Sequence, residues 1–119
     1  MTTRTLYDKI WDSHIVVEGT DTPSILYIDL HLIHEVTTPQ AFAGLRERGI
    51  RVRRPELTVA TADHVTPTIS RNVADAGEQA VHQIGQLETN CEEFGINLYG
   101  IDHAKQGIVH VIGSELGLT

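Results

Sequence analysis

The chain has 119 residues, which is enough for one folded domain with a single hydrophobic core. Its formal net charge of −7 argues against a nucleic-acid surface or an anionic membrane as partner, although a small anionic substrate needs only a local positive site. No segment approaches the roughly 18 apolar residues of a membrane span. The only cysteine, Cys91, excludes an internal disulfide and suits the reducing cytoplasm.

The first half of the chain contains a strand signal followed by a helix signal. The apolar run at residues 25–29 predicts a buried strand, and the polar His31 is expected to mark its end. Thr38 and Pro39 then predict the start of a helix over residues 39–48, with the hydroxyl of Thr38 as the cap and proline in the first helical position.

The second half repeats this alternation of strands and helices. A run rich in β-branched residues predicts a strand at 57–61, and Asp75 is expected to cap the longest helix, at 76–94. Two further apolar runs predict strands at 96–99 and 108–111. This alternation favours an α/β fold with a mostly parallel sheet. Because no helix is predicted after the last strand, we expect the chain to be truncated at its C-terminus and one sheet face to be uncovered.

A carboxylate and an imidazole, Asp63 and His64, directly follow the predicted strand at 57–61. Ligands of α/β proteins bind beyond the carboxyl ends of strands, and a carboxylate that bonds one imidazole nitrogen raises the basicity of the other. The pair is therefore a candidate acid/base site. The alternative is a surface histidine held by a local turn, which the dipeptide considered alone favours.

A metal site has weaker support in the sequence. The spacing of His31 and His34, with Glu35 beside them, could put two imidazoles on one helical face, but His31 is expected to end a strand, and a full set of ligands is not evident. Cys91 lies on the apolar stripe of the helix at 76–94, which favours a core residue. One cysteine cannot hold an iron–sulfur cluster that needs three or four thiolates. No metal ligand is therefore predicted in this chain.

Five segments of the chain together resemble the N-terminal part of the large subunits of isopropylmalate dehydratases, which are members of the aconitase family. They are TLYDKIWDSHIV, LYIDLHLIHEVTTPQAF, RVRRPELTVATADH, NCEEFGI and QGIVHVIGSELGLT. The resemblance implies a partial three-layer aconitase-type α/β domain, with residues 1–119 forming an incomplete first domain. It also implies a hydro-lyase of leucine biosynthesis that interconverts 2-isopropylmalate and 3-isopropylmalate, both hydroxy-dicarboxylates, through isopropylmaleate.

The resemblance also implies particular site residues and partners. Asp63 and His64 match the family's Asp-His active-site pair, in which the histidine helps to protonate the departing hydroxyl. His110 matches another active-site histidine, and Gln40 matches a glutamine that contacts substrate. The full-length enzyme holds a [4Fe-4S] cluster on three cysteines, and the large subunit works together with a small subunit.

Two of the family's motifs are not found in this chain. The Asp-Ser-His motif and the three cluster cysteines are expected beyond Thr119, so we expect the chain alone to bind no cluster and to be inactive. One alternative is a truncated product without turnover. Another is a segment of a sister hydro-lyase that acts on homoaconitate or citraconate.

Overall fold

The computed structural model describes residues 3–119. The helices and strands in chain order are α1 (Leu6–His14), β1 (Ile15–Val17), β2 (Ile25–Leu26), β3 (His31–Ile33), α2 (Thr38–Glu47), β4 (Thr58–Thr61), α3 (Glu78–Phe94), β5 (Asn97–Tyr99) and α4 (Val109–Glu115). Short 3₁₀ turns at Pro55–Leu57 and Val73–Ala76 precede β4 and α3.

The main sheet is parallel and has the strand order β3-β4-β5. In its register, Leu32 of β3 lies opposite Val59 of β4, and Val59 lies opposite Asn97 of β5. The separate β1-β2 sheet is antiparallel. The predicted α/β class with a mostly parallel sheet is therefore confirmed.

Successive side chains of each strand point to opposite faces of the parallel sheet, and apolar side chains on both faces pack against helices. One core cluster joins the sheet to α2 and α3, and its buried members are Ile33, Phe42, Ala60, Leu87, Cys91 and Ile96. The other joins the opposite face to α4 through Val59, Tyr99 and Ile112. This helix–sheet–helix order is the partial three-layer arrangement that the family resemblance implied.

The predicted strand at residues 108–111 is wrong, because this segment begins helix α4. Its β-branched residues favour a strand locally, but Val109 and Ile112 have helical spacing and are buried, with Ile112 packed against the sheet. Ile108 is the extended N-cap, and Gly117 follows the helix with a positive φ of 64°. The sheet face that was expected to be uncovered is therefore covered by α4.

The predicted strand at residues 25–29 is also wrong in extent. Only Ile25–Leu26 forms a strand, and it pairs with β1 rather than joining the parallel sheet. The parallel sheet begins with His31, which starts β3 instead of ending a strand. The side chain of Asp29, between the two strands, accepts a hydrogen bond from His14 Nε2 at 2.7 Å. The segment at residues 25–33 therefore contributes one strand to each of the two sheets.

Two predicted helix caps are replaced by other contacts. The hydroxyl of Thr38 donates to the carbonyl of His34 at 2.7 Å, and Thr37 is the N-cap of α2 without a side-chain hydrogen bond. Asp75 lies in the 3₁₀ turn, where it accepts from Ser70, and Gly77 is the N-cap of α3. The helices exist where the sequence predicted them, but the polar side chains near their starts bond to residues of the preceding loop instead of capping the helix.

The N-terminal arm, residues 6–28, contains α1, β1 and β2 and exposes much of its apolar surface. Its exposed apolar side chains are Leu6, Tyr7, Ile10, Val16, Val17, Ile25 and Ile28. The radius of gyration of the structure is 17.3 Å, whereas a compact domain of this length has one of about 13.5 Å. The molecule is therefore more extended than a self-contained domain. Among residues 3–119, no helix is both long and apolar enough to cross a membrane.

Candidate functional site

The candidate site lies at the carboxyl edge of the parallel sheet, where β3 and β4 end side by side. His34 follows β3, and His64 follows β4 after a two-residue step. Their imidazole rings stack with centroids 4.0 Å apart and planes 23° apart. The structure therefore brings the predicted Asp63-His64 pair against a second histidine.

Glu35 connects the ends of these two strands. Its side chain is completely buried, with 0% exposure. One carboxylate oxygen accepts the backbone N–H of Asp63 at 3.0 Å, and the other accepts the backbone N–H of Val65 at 2.7 Å. Hydrogen bonds to an ionised acceptor are stronger than neutral ones. The turn that carries His64 is therefore bonded to Glu35 on both sides of the histidine.

Asp63 connects this turn to helix α4. Its Oδ2 accepts the backbone N–H of Val109, the first residue of α4, at 3.0 Å. The same oxygen lies 3.5 Å from Nδ1 of His64, which is an ion-pair distance but longer than a well-formed hydrogen bond. The strongest contact of the Asp63 side chain is therefore with α4 and not with its neighbouring imidazole.

His110 and Gln40 occupy different parts of the same region. His110 is exposed as the second residue of α4, and together with His34 it lines a cavity of about 470 Å³. Gln40 is exposed in the first turn of α2, as predicted, but α2 lines this cavity with Thr38 and Ala41 and not with Gln40. The structure therefore places His110 near His34, whereas neither His64 nor Gln40 is among the residues that line this cavity.

The electrostatic surroundings of His34 oppose its protonation. Burial lowers the pKa of His34 below its usual value, and the neighbouring His64 lowers it further. The carboxylates of Glu35 and Asp63 act in the opposite direction but are smaller influences. His34 therefore favours the neutral form, in which one ring nitrogen can accept a hydrogen bond and the other can donate one.

His34, Glu35 and His64 each offer a possible metal-ligand atom, and these atoms lie within 4.8 Å of one another. The sequence missed this group because the third residue comes from another strand. However, the lone pairs of an imidazole lie in the ring plane, and two stacked rings cannot direct them at one tetrahedral ion. Both oxygens of Glu35 also already accept backbone N–H groups. The geometry therefore favours an acid/base site over a metal site.

Cys91 is a core residue, as predicted from its place on α3. It is 2% exposed, and burial raises the pKa of its thiol to about 12. A cluster ligand must be a thiolate, and a [4Fe-4S] cluster needs at least three. The residues of this chain therefore do not fit such a cluster.

Sequence reasoning missed His34 and Glu35 as members of the site because it ended the first strand too early. A strand shifted to residues 31–33 would have placed both residues at its carboxyl end, beside the end of the strand that carries Asp63 and His64. The alternation of Leu30 and Leu32 with polar residues was the available signal.

The structure is an α/β unit with a carboxylate and imidazoles at the carboxyl edge of its parallel sheet, the edge beyond which ligands of α/β proteins bind. The family comparison is more specific, because the pattern of the Aconitase family (aconitate hydratase) matches residues 8–119. The chain belongs to the aconitase family.

The chain is also similar to curated proteins named 3-isopropylmalate dehydratase large subunit. It is 60% identical to the protein of Roseiflexus castenholzii and 60% identical to that of Solibacter usitatus. It is 53% identical to the protein of Cytophaga hutchinsonii. Each match covers 98% of this chain but only 25–26% of the relative, so the chain spans about a quarter of the length of these relatives. No solved structure matches the chain.

Proposed function

We propose that this chain is the N-terminal part of the large subunit of a 3-isopropylmalate dehydratase and forms the beginning of its first aconitase-type domain. The observation that carries the proposal is the 53–60% identity, across 98% of the chain, to proteins with that name. The complete enzyme would act in the cytoplasm, with a small subunit as partner.

The proposed reaction removes water from 2-isopropylmalate to give isopropylmaleate and adds it back to give 3-isopropylmalate. Dehydration breaks a C–O bond and the C–H bond of the neighbouring carbon. The departing hydroxyl takes a proton, which a histidine is best suited to supply near neutral pH, and a base of the complete enzyme outside this chain would take the carbon-bound proton. His64 has this role in the proposal, and Asp63 stabilises the protonated ring from 3.5 Å.

The other residues of the site would hold the substrate. His110 and neutral His34 line the cavity and can bond to polar groups of the hydroxy-acid. Gln40 lies outside this cavity, in the first turn of α2, where free backbone N–H groups would suit a substrate carboxylate that extends beyond the cavity. A [4Fe-4S] cluster of the complete enzyme would be held by cysteines outside this chain, since Cys91 does not fit it.

A segment exchange tests the proposal. In the chimeric large subunit, this chain replaces the matching segment of the Roseiflexus castenholzii large subunit, and the chimera is assembled with that organism's small subunit. The 60% identity of the two segments makes a folded chimera the expected product. Interconversion of the two isopropylmalates is followed by the ultraviolet absorbance of unsaturated isopropylmaleate, and we expect a rate within about tenfold of the parent enzyme.

Two controls determine how the result is interpreted. The parent enzyme shows that the assay works, and iron and sulfide analysis shows whether the chimera holds its cluster. A folded chimera with a full cluster that binds isopropylmalate but does not dehydrate it would contradict the proposed function. A chimera that prefers homoaconitate or citraconate would assign the chain to a sister hydro-lyase instead.

A further inference from the structure

We propose that Glu35 is a positioning residue of this site, whose buried carboxylate fixes the turn after β4 and thereby the places of His64 and Asp63. The inference deepens the proposed function and rests on it. Glu35 does not itself contact the substrate cavity; it acts through the backbone of the residues on either side of His64.

The first support is the pattern of its hydrogen bonds. The two N–H groups that Glu35 accepts belong to Asp63 and Val65, the residues immediately before and after His64. Two bonds from one carboxylate to residues i−1 and i+1 leave the backbone of His64 little freedom to rotate. This restraint fixes the place of the His64 backbone, from which the imidazole ring stacks on His34.

The second support is the cost of burying this carboxylate. Glu35 is 0% exposed, and among residues 3–119 it forms no ion pair with a lysine or arginine. A buried charge without a cation is unfavourable unless hydrogen bonds replace its hydration. The two backbone N–H groups are this replacement. A shift of the turn would break both bonds, so the carboxylate resists any displacement of the turn.

The third support is that the same turn holds α4. Asp63 accepts the N–H of Val109 through its side chain while it donates its own backbone N–H to Glu35. His110 follows Val109 directly. A loosened turn would therefore displace Asp63, His64 and His110 together, although only one side chain had been changed.

The test is Glu35→Gln in the chimeric large subunit assembled with its small subunit. Glutamine has nearly the same shape, but its NH₂ group would face one of the two backbone N–H donors, and its charge is absent. We expect kcat to fall roughly 10-fold to 100-fold, the usual effect of removing a group that orients an active-site side chain. KM should rise by a smaller factor than kcat falls, because displacement of His110 weakens substrate binding whereas displacement of His64 and Asp63 acts on the proton transfer itself.

Glu93→Gln is the matched control. Glu93 lies on α3 and accepts hydrogen bonds from Arg46, far along the chain from the turn. The same chemical change at that position should leave kcat and KM as in the unsubstituted chimera. A crystal structure of the Glu35→Gln complex should show the 63–65 turn displaced and the ring of His64 separated from His34. A purely structural role of Glu35 would instead lower thermal stability without this loss of kcat.

Glu35→Asp keeps the charge, and it tests the positioning role of Glu35 if the glutamine variant does not fold. Its shorter side chain can reach only one of the two N–H groups, so we expect a kcat between those of the unsubstituted chimera and the glutamine variant. An unchanged kcat in either folded variant, with an active unsubstituted chimera, would overturn the role of Glu35. An inactive unsubstituted chimera with a full cluster would instead overturn the proposed function.

Discussion

Asp63→Asn is the substitution that most directly tests how the site supports proton transfer. Asparagine retains an oxygen that can accept the N–H of Val109, so the contact with α4 is preserved. What is lost is the negative charge 3.5 Å from Nδ1 of His64. The change therefore isolates the electrostatic contribution of Asp63 to the protonated imidazole.

The size of this contribution follows from the distance and the exposure. At 3.5 Å the attraction between unit charges is about 1 kcal/mol in bulk water and about 5 kcal/mol at an effective dielectric constant of about 20. Because the His64 side chain is 43% exposed, we take a value in the lower half of this range, about 2 kcal/mol. Since about 1.4 kcal/mol corresponds to a factor of ten, the expected loss of kcat is about 30-fold.

Steady-state kinetics of the chimeric enzyme measure this loss. KM should change little, because Asp63 does not line the cavity and its charge acts on the imidazole and not on the substrate. Asp102→Asn, the same change at an exposed turn residue, is the control and should lie within about twofold of the unsubstituted chimera. Cluster content must be equal in all samples. A folded Asp63→Asn enzyme with unchanged kcat would refute the role of this charge.

Three further predictions concern the histidines and the exposed arm. His64→Ala should lower kcat about 10²–10⁴-fold. In a double-mutant cycle, combining it with Asp63→Asn should lower kcat much less than the product of the two single losses. Full additivity would show that the two residues act independently. The pKa of His34 is lower in the folded chain than in the unfolded chain. As pH falls through about 6.5, the unfolded chain therefore binds more protons than the folded chain, and the free energy of unfolding should decrease. Thermal melts of the chimera at several pH values should show a smaller decrease for His34→Gln, and an equal decrease would exclude this contribution. The isolated chain should self-associate through the N-terminal arm, which sedimentation at increasing concentration would detect; a monomer at every concentration would contradict this.

The elements that the sequence predicted well have strong local signals. β4 follows from its β-branched run, and it is buried along its whole length. The end of α3 follows from Gly95, which adopts the left-handed conformation with φ 70° and ψ 33°. At these positions the local preference and the tertiary structure agree.

The start of α4 could not be predicted in this way, because its cause lies elsewhere in the chain. Locally, Ile108 to Val111 favours a strand. The contact that helps to begin the helix is made by Asp63, and the burial that stabilises it comes from the sheet. A single-sequence pattern contains neither contribution.

The candidate site was likewise predicted only where the sequence contains a local signal. The strand end and the chemistry of the two side chains were enough to single out Asp63 and His64. The stacking of His34 on His64 depends on the register between β3 and β4, which hydrophobic periodicity does not specify when the strands are only three or four residues long.

The strand order β3-β4-β5 has a consequence for how the chain folds during synthesis. Each strand pairs with the one that the ribosome has just released, and no later strand must be inserted between two earlier ones. The sheet can therefore grow in one direction while translation continues, and each step closes only the crossover between two consecutive strands. The turn after β4 that carries Asp63 and His64 would be formed early in this sequence, before α4 has been synthesised to bond to it.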